Sequence, residues 1–233
     1  IHQDLPNVAF NGDHYHKPMN ISDEFAEYTG AVMSIDPSGR GKDETGYAVV
    51  KMLNGYLYVR RCGGVAGGYS KEALQKLSAI AKQEAVNEII IESNFGDGMF
   101  NQLLVPVISK IHPVTLTEVR HNTQKEKRII DVLEPVMNQH RLIVDKKVIQ
   151  SDYDSCQHLP PESALRYQLM YQMTRITAER GALTNDDRLD ALAMAVQYWV
   201  DAMAQDAEVQ MASRHAERLM DEMARLYDQN TLG

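Results

Sequence analysis

Three features that would indicate whole classes of protein are missing from the sequence. There is no apolar run of about 18 residues, the length that a membrane-spanning helix needs, and the first residues form neither a basic stretch nor a hydrophobic signal core. The two cysteines, Cys62 and Cys156, lie far apart and lack the clustered Cys and His spacing of a zinc site. These absences predict a cytoplasmic protein whose cysteines are structural thiols.

A surplus of positive charge is also missing. The chain has 24 Lys and Arg against 32 Asp and Glu, which gives a formal net charge of -8. Phosphate binding normally draws on a surplus of Lys and Arg, so this total argues against a nucleic-acid partner. A carboxylate-rich metal site and an acidic tail could nevertheless coexist with a local basic face, and net charge alone therefore excludes nothing here.

The length and the course of the chain predict one main domain. With 233 residues, 44% of them hydrophobic, the chain is long enough to bury a core in a single domain of roughly 200 residues. Residues 1–30 are polar and poorly periodic, and the first residue is Ile1 rather than Met. We expect a leader or linker from a longer chain over residues 1–30, a domain over residues 31–204 and a helical tail over residues 205–233.

Short runs of strand-forming residues predict a mixed sheet. Three runs separated by turn signals predict an antiparallel meander, and later runs that alternate with helical periodicity predict parallel strands. The predicted strands are residues 31–35, 47–52, 56–60, 88–91, 114–119 and 142–144. The predicted helices are residues 70–84, 99–111, 125–139, 161–178, 185–204 and 206–228. The expected fold class is α/β, with three antiparallel strands followed by parallel strands and with flanking helices.

Three acids stand where elements of this sheet would bring them together. Asp36 and Glu92 each end an apolar strand and precede a flexible turn. Asp190 lies in the first turns of a later helix, three residues after Asp187, on a face that continues into the small residue Ala193. A small residue lets that helix lie close to the sheet, so Asp36, Glu92 and Asp190, here called the acidic triad, are predicted to converge.

Converging carboxylates indicate a metal site. Three of them would repel one another strongly unless divalent ions neutralised their charge. Hard oxygen ligands favour Mg²⁺ or Mn²⁺ over zinc, and two such ions can hydrolyse a phosphodiester. Each acid also has an ordinary interpretation: Asp36 as a turn residue, Glu92 as half of an ion pair and Asp190 as a solvated helix residue. The metal hypothesis therefore depends on the order and context of all three.

Three segments of the sequence resemble a known family. Ser34–Ser38, Ile91–Gly96 and Asn185–Ala191 are similar to motifs in the nuclease domain of the large terminase subunit of tailed bacteriophages, in its podovirus-like branch. The resemblance covers roughly residues 31–202. It implies a ribonuclease H-like fold and an endonuclease that cleaves concatemeric double-stranded DNA into genome units.

The resemblance also assigns roles to single residues. It implies that the acidic triad is catalytic and holds two Mg²⁺ or Mn²⁺ ions. Many relatives carry a histidine where this chain has Asp187, so the role of Asp187 as ligand, base or bystander stays open. Asp43 and Asp97 are candidate additional ligands, and each could equally be a solvated loop acid.

Two groups of basic residues are candidate DNA contacts. Arg40 and Lys42 follow the first acid, and Lys125, Lys127 and Arg128 open a predicted helix. Cations near the triad would hold phosphates without reading sequence. The family resemblance supports DNA contact by the second group, but an ordinary charged helix face is an equal alternative.

A nucleotide site is not expected in this chain. Gly39–Lys42 invites a phosphate-loop interpretation, but Asp36 and Asp43 stand where that motif needs a glycine and a Ser or Thr. The resemblance instead implies an ATPase domain upstream of Ile1 in the same chain. It further implies double-stranded DNA, the portal protein, the small terminase subunit and the procapsid as partners, no membrane, and action in the host cytoplasm.

Two alternatives to this function remain open. The same fold could cleave a four-way junction or the RNA strand of a hybrid. The chain could also be a non-catalytic module with structural acids, whose Met-rich C-terminal helix docks on the portal or another part of the motor.

Overall fold

The computed structural model describes most of the chain. The described residues are 4–5, 10, 12–17, 24–38, 44–93 and 98–231. The chain divides into two compact units, Ile1–Val196 and Gln197–Gly233. The boundaries expected at residues 30 and 204 stay predictions.

A six-stranded mixed sheet forms the centre of the first unit. The strands are β1 (Gly30–Asp36), β2 (Thr45–Leu53), β3 (Tyr56–Val65), β4 (Glu88–Glu92), β5 (Thr115–Val119) and β6 (Leu142–Val144), in the spatial order β5-β4-β1-β2-β3-β6. β1, β2 and β3 pair antiparallel, whereas β4 pairs parallel with β1 and β5, and β6 pairs parallel with β3. The expected fold class, antiparallel strands followed by parallel ones, is confirmed.

Seven helices are described around and after this sheet. They are α1 (Lys71–Gln83), α2 (Met99–Ile111), α3 (Lys125–Asn138), α4 (Lys146–Ser155), α5 (Pro161–Tyr167), α6 (Leu169–Arg175) and α7 (Asp187–Thr231). The first three agree with the sequence-based prediction within one or two residues. The rest differ from it in three ways: α4 was not predicted, the helix predicted over residues 161–178 is two helices, and the two predicted over residues 185–228 are one.

A tertiary contact explains the break between α5 and α6. Gln168 adopts an extended backbone, with φ -76° and ψ 130°. The buried Asp152 of α4 accepts hydrogen bonds from the backbone of Leu169 and Met170 at 3.0 and 3.3 Å, and so caps the start of α6. The capping side chain lies in another helix, so helical periodicity alone could not predict this boundary.

The break predicted between the last two helices is absent, and the local composition of the chain explains why. From residue 197 to residue 231 the chain contains no Gly or Pro, and Ala, Met, Gln and Glu, which favour helix, are frequent. α7 therefore continues through the second unit to Thr231. In that unit Val209 and Met211 are exposed. No helix among the described residues is both long and apolar enough to span a membrane.

The two faces of the sheet have different partners. Met33 and Ile35 of β1 belong to a buried cluster with side chains of α1 and α2. Alternate residues of a strand point to opposite faces, so Ser34 and Asp36 point to the other side. There the Ser34 hydroxyl donates a 2.5 Å hydrogen bond to the carbonyl of Ala191 in α7. The part of α7 that belongs to the first unit therefore lies on the face of the sheet that carries Asp36.

Candidate metal centre

Parallel pairing and strand alternation bring the first two acids together. β1 and β4 run parallel, with Ile35 opposite Ile91 as the last pair, so Asp36 and Glu92 follow at the same edge of the sheet. Ile35 and Ile91 both belong to the core on the side of α1 and α2. Asp36 and Glu92, one residue further along, therefore share the opposite face, on which α7 lies.

The third acid reaches this edge because α7 approaches the sheet closely. Gly46 of β2 is the register partner of Asp36. A Cβ at Gly46 would overlap the backbone carbonyl of Asp187, so only glycine permits this distance between the strand and the first turn of the helix. Asp190, one turn further on, is completely buried.

The three carboxylates form one cluster. One oxygen from each member of the acidic triad lies within 4.8 Å of the oxygens of the other two. Glu92 is 8% exposed and Asp190 0%. Sequence reasoning predicted this convergence, and the structure brings all three residues together.

Two cations of α3 point into the same cluster. Lys125 Nζ lies 3.0 Å from Asp190 Oδ2, 2.9 Å from Asp186 Oδ1 and 3.4 Å from Asp36 Oδ2. Arg128 Nη2 lies 2.7 Å from Asp190 Oδ1 and 3.7 Å from Glu92 Oε1. The carboxylates therefore have positive partners from the chain itself, which corrects the expectation that divalent ions alone would offset their repulsion.

A cavity of about 200 Å³ opens onto the cluster. Its lining residues are Asp36, Pro37, Glu92, His121, Thr123, Lys125 and Arg128. His121 and Thr123 come from the segment between β5 and α3 and were not candidates from the sequence. The signal that could have found them is position: β5 pairs parallel with β4, so the residues after Val119 emerge at the edge where Glu92 lies.

Burial changes the protonation of the acids. It raises the pKa of Asp36 to about 7, with Asp190 and Glu92 adding to the rise and Lys125 opposing it. The pKa of Glu92 is also raised, first by burial and then by the charge of Asp190. Burial, followed by the charge of Asp36, raises the pKa of Asp187 to about 7. Part of the cluster is therefore protonated at neutral pH when no metal is bound.

The chemistry of the donors fits a hard divalent cation. All three members of the triad offer carboxylate oxygens, the ligands that Mg²⁺ and Mn²⁺ prefer. Asp190 Oδ2 is buried and accepts no well-aligned hydrogen bond from the part of the chain that the structure describes, although the ammonium of Lys125 lies 3.0 Å away. Such an oxygen retains lone pairs that a cation could use. The residues present are therefore able to hold such an ion.

The remaining candidates lie in different places. Asp187 is half-buried beside the cluster, whereas Lys127 is exposed on α3. Asp43, Asp97, Arg40 and Lys42 lie outside the described residues. Lys125 and Arg128 pair with carboxylates instead of forming an open basic face, and their contact with DNA stays a prediction. Cys62 and Cys156 are free and buried.

Comparisons with known proteins agree on one family. The family model described as Terminase Bacteriophage T7, Ribonuclease H-like domain, matches residues 35–142. The large terminase subunit of Enterobacteria phage T3 is 44% identical over 205 residues, 88% of this chain and 35% of that protein. The chain thus spans about a third of the length of the curated relative it matches.

A solved structure shows the same fold. The human cytomegalovirus terminase nuclease domain, soaked with manganese and bound to an inhibitor, superimposes with a TM-score of 0.50 at 13% sequence identity. The match covers 73% of this chain and 82% of that domain. At this low sequence identity the match supports a shared ribonuclease H-like fold and nothing further.

Proposed function

This chain belongs to the large terminase subunit family and carries its ribonuclease H-like nuclease domain, and we propose that it cleaves double-stranded DNA with divalent metal ions. The observation that carries the proposal is the acidic triad, whose carboxylate oxygens lie within 4.8 Å of one another at the edge of the sheet. The reaction is hydrolysis of a phosphodiester bond. Both strands would be cut with little sequence preference.

Asp36, Glu92 and Asp190 would hold the metal, which we propose to be two Mg²⁺ or Mn²⁺ ions. Such ions supply an activated water and neutralise the charge that develops on the phosphate oxygens. The triad is suited to this role because its carboxylates come from two strands and one helix packed around a common core, so their positions are rigid.

The two cations of α3 would have separate tasks in this site. Arg128 donates to Asp190 Oδ1 at 2.7 Å and so fixes the orientation of that carboxylate. Lys125, which pairs with three aspartates and also lines the cavity, would stabilise the cluster before metal binds and contact a phosphate afterwards. His121 and Thr123, on the same cavity wall, would contact the sugar-phosphate backbone.

The biological substrate and the partners are further proposals, since the chain spans 35% of the T3 protein. We propose that the substrate is concatemeric viral DNA, cut into genome units in the host cytoplasm. The portal protein, the small terminase subunit, the procapsid and an ATPase domain of the same chain would act with this domain. Binding through the few cations near the site would be weak and salt-dependent, so these partners would position the DNA.

Plasmid cleavage tests the activity. Supercoiled plasmid is incubated with the protein and Mg²⁺ or Mn²⁺, and nicked and linear products are measured on gels. We expect Asp36→Asn to abolish cleavage because it removes a charged ligand while keeping the side-chain size. The matched control is Asp154→Asn on the exposed surface of α4, where the carboxylate accepts a local hydrogen bond from Gln150. That variant should cut like the wild type.

Two further measurements separate the proposal from its alternatives. Full activity of folded Asp36→Asn would contradict the role of the triad. Faster cleavage of a four-way junction or of an RNA–DNA hybrid than of linear duplex would change the substrate. A wild-type protein that neither cleaves nor gains thermal stability with Mn²⁺ would be a non-catalytic module.

A further inference from the structure

A buried arginine lies inside the first turn of α7. Arg188 is 2% exposed and stands between Asp187 and Asp190. Its Nε and Nη2 donate to the two carboxylate oxygens of Glu44 at 2.5 and 2.9 Å. Its Nη1 donates to Asp152 Oδ1 at 2.7 Å and to Ser155 Oγ at 2.9 Å. Each of the three guanidinium nitrogens thus has a hydrogen-bond acceptor, and the orientation of the group is fixed.

These partners come from separate elements of the fold. Glu44 directly precedes β2, and Gly64 of β3 leaves the space for its carboxylate, since a Cβ there would overlap it. Asp152 and Ser155 belong to α4, and the thiol of Cys62 in β3 donates to the Arg188 carbonyl at 3.5 Å. The position of the first turn of α7 is therefore fixed relative to β2, β3 and α4 at once.

Stability alone gives a weak reason for this arrangement. Burying an ion pair costs desolvation free energy that can equal the Coulombic gain, and apolar replacements are often as stable. An arginine adds a fixed orientation, because the N–H donors of its planar guanidinium must meet the carboxylate oxygens in one geometry. A residue of this kind, two residues before the buried carboxylate of Asp190, is well suited to set the orientation of the helix that carries both.

We propose that Arg188 is a positioning residue for the metal centre. Its ion pairs with Glu44 and Asp152 hold α7 so that Asp190 lies within reach of Asp36 and Glu92 and the triad can share a cation. Arg188 itself does not touch the metal or the DNA. The inference rests on the proposed function, because it presupposes that the triad binds divalent ions.

The test compares two glutamates that each pair with one arginine. Glu44→Gln keeps an acceptor for Arg188 but removes the charge and the bidentate pairing. The control, Glu84→Gln, makes the same change at the C-terminal cap of α1, the helix on the other face of the sheet. There Glu84 pairs with Arg61 at 2.8 Å and with Lys51 at 3.2 Å. Mn²⁺ binding is measured by titration calorimetry, the metal-induced rise in Tm by thermal unfolding, and the fold by circular dichroism.

We expect Glu44→Gln to weaken Mn²⁺ binding on the order of 10-fold, as is typical when a group that orients a metal ligand is changed. Its metal-induced rise in Tm should shrink accordingly, whereas Glu84→Gln should bind Mn²⁺ like the wild type. Arg188→Lys keeps the positive charge but loses the planar guanidinium, so it should weaken Mn²⁺ binding as Glu44→Gln does.

Three results would overturn the proposal in distinguishable ways. A Glu44→Gln variant that is less stable without metal but binds Mn²⁺ with wild-type affinity would make the Arg188 network purely structural. Wild-type affinity in Arg188→Lys would show that charge suffices and that the geometry of the guanidinium is irrelevant. Absence of Mn²⁺ binding and cleavage in the wild type would reject the proposed function itself, and this inference with it.

Discussion

The Ser34 hydroxyl donates a buried 2.5 Å hydrogen bond to the carbonyl of Ala191, and so joins β1 directly to α7. Ser34 lies two residues before Asp36, and Ala191 follows Asp190. This bond therefore links the strand and the helix that carry two members of the acidic triad.

Removing this hydroxyl should affect both stability and metal binding. We expect Ser34→Ala to lower the free energy of unfolding by about 1 kcal/mol, the usual contribution of one buried hydrogen bond. Because α7 loses a contact with β1, Mn²⁺ binding should also weaken. Urea unfolding with and without Mn²⁺ measures both effects.

The control for this prediction is Ser109→Ala in α2, where an exposed hydroxyl donates to the carbonyl of Val105 at 2.8 Å. Ser109→Ala should change neither the free energy of unfolding nor the stabilisation by Mn²⁺ by more than a few tenths of a kcal/mol. Equal effects of the two substitutions would show that the Ser34 bond has no special connection with the metal centre.

Lys125 offers a second prediction. It pairs with Asp36, Asp186 and Asp190 while about a third of its side chain is exposed. Lys125→Met would leave these carboxylates with less counter-charge, so the metal-free protein should lose about 2 kcal/mol, less than the loss typical of fully buried pairs. Mn²⁺ can replace the missing charge, so the metal-induced rise in Tm should be larger in the variant than in the wild type.

The neighbouring Lys127 is exposed and serves as the control. Lys127→Met should leave the Tm and its dependence on Mn²⁺ unchanged. A smaller metal-induced rise in Tm for Lys125→Met than for the wild type would show that Lys125 assists metal binding instead of substituting for the metal.

Much of the site could be predicted because its signals are local. An apolar strand that ends in an acid before a flexible turn indicates the end of a strand at a sheet edge, and parallel pairing then brings Asp36 and Glu92 together. The position of Asp190 beside them could be predicted from helical spacing and the small residues next to it. These inferences need only the periodicities of strands and helices.

The rest depends on contacts between residues that are distant in sequence. Lys125 and Arg128 look like solvated charges at a helix start, and only the folded chain shows that they point into the acidic cluster. Arg188 follows two acids, Asp186 and Asp187, and also looks like a solvated charge, yet its partner Glu44 lies 144 residues away in the sequence. The end of α5 likewise depends on Asp152. No pattern within one segment carries this information.

Gly46 gives a third prediction. A Cβ at this position would overlap the carbonyl of Asp187, so Gly46→Ala should push the first turn of α7 away from β2. We expect a loss of about 2 kcal/mol in stability, typical of overpacking, together with weaker Mn²⁺ binding. The control is Gly63→Ala in β3, where the new Cβ would meet no backbone but the side chain of Tyr47, with its hydroxyl at 3.2 Å and ring carbons at 3.5 Å. Wild-type Mn²⁺ affinity in Gly46→Ala would show that metal binding does not require the first turn of α7 to lie this close to β2.

The raised pKa values of Asp36 and Asp187 give the last prediction, on pH dependence. In the unfolded chain an aspartate has a pKa of about 3.9, the value of model peptides. In the folded protein burial raises the pKa of both groups to about 7. The metal-free folded state therefore binds more protons across this window, and its free energy of unfolding should fall as the pH rises from about 4 to about 7.

Mn²⁺ competes with the same protons, so its stabilising effect should grow over the same window. The measurement is urea unfolding between pH 4.5 and pH 7.5, once with a chelator and once with Mn²⁺. Asp36→Asn removes one of the two titrating groups, so the metal-free stability of this variant should fall less steeply with pH than that of the wild type. Identical slopes would show that the Asp36 carboxyl ionises equally easily in the folded and unfolded chain, in which case neither burial nor the neighbouring acids control its charge.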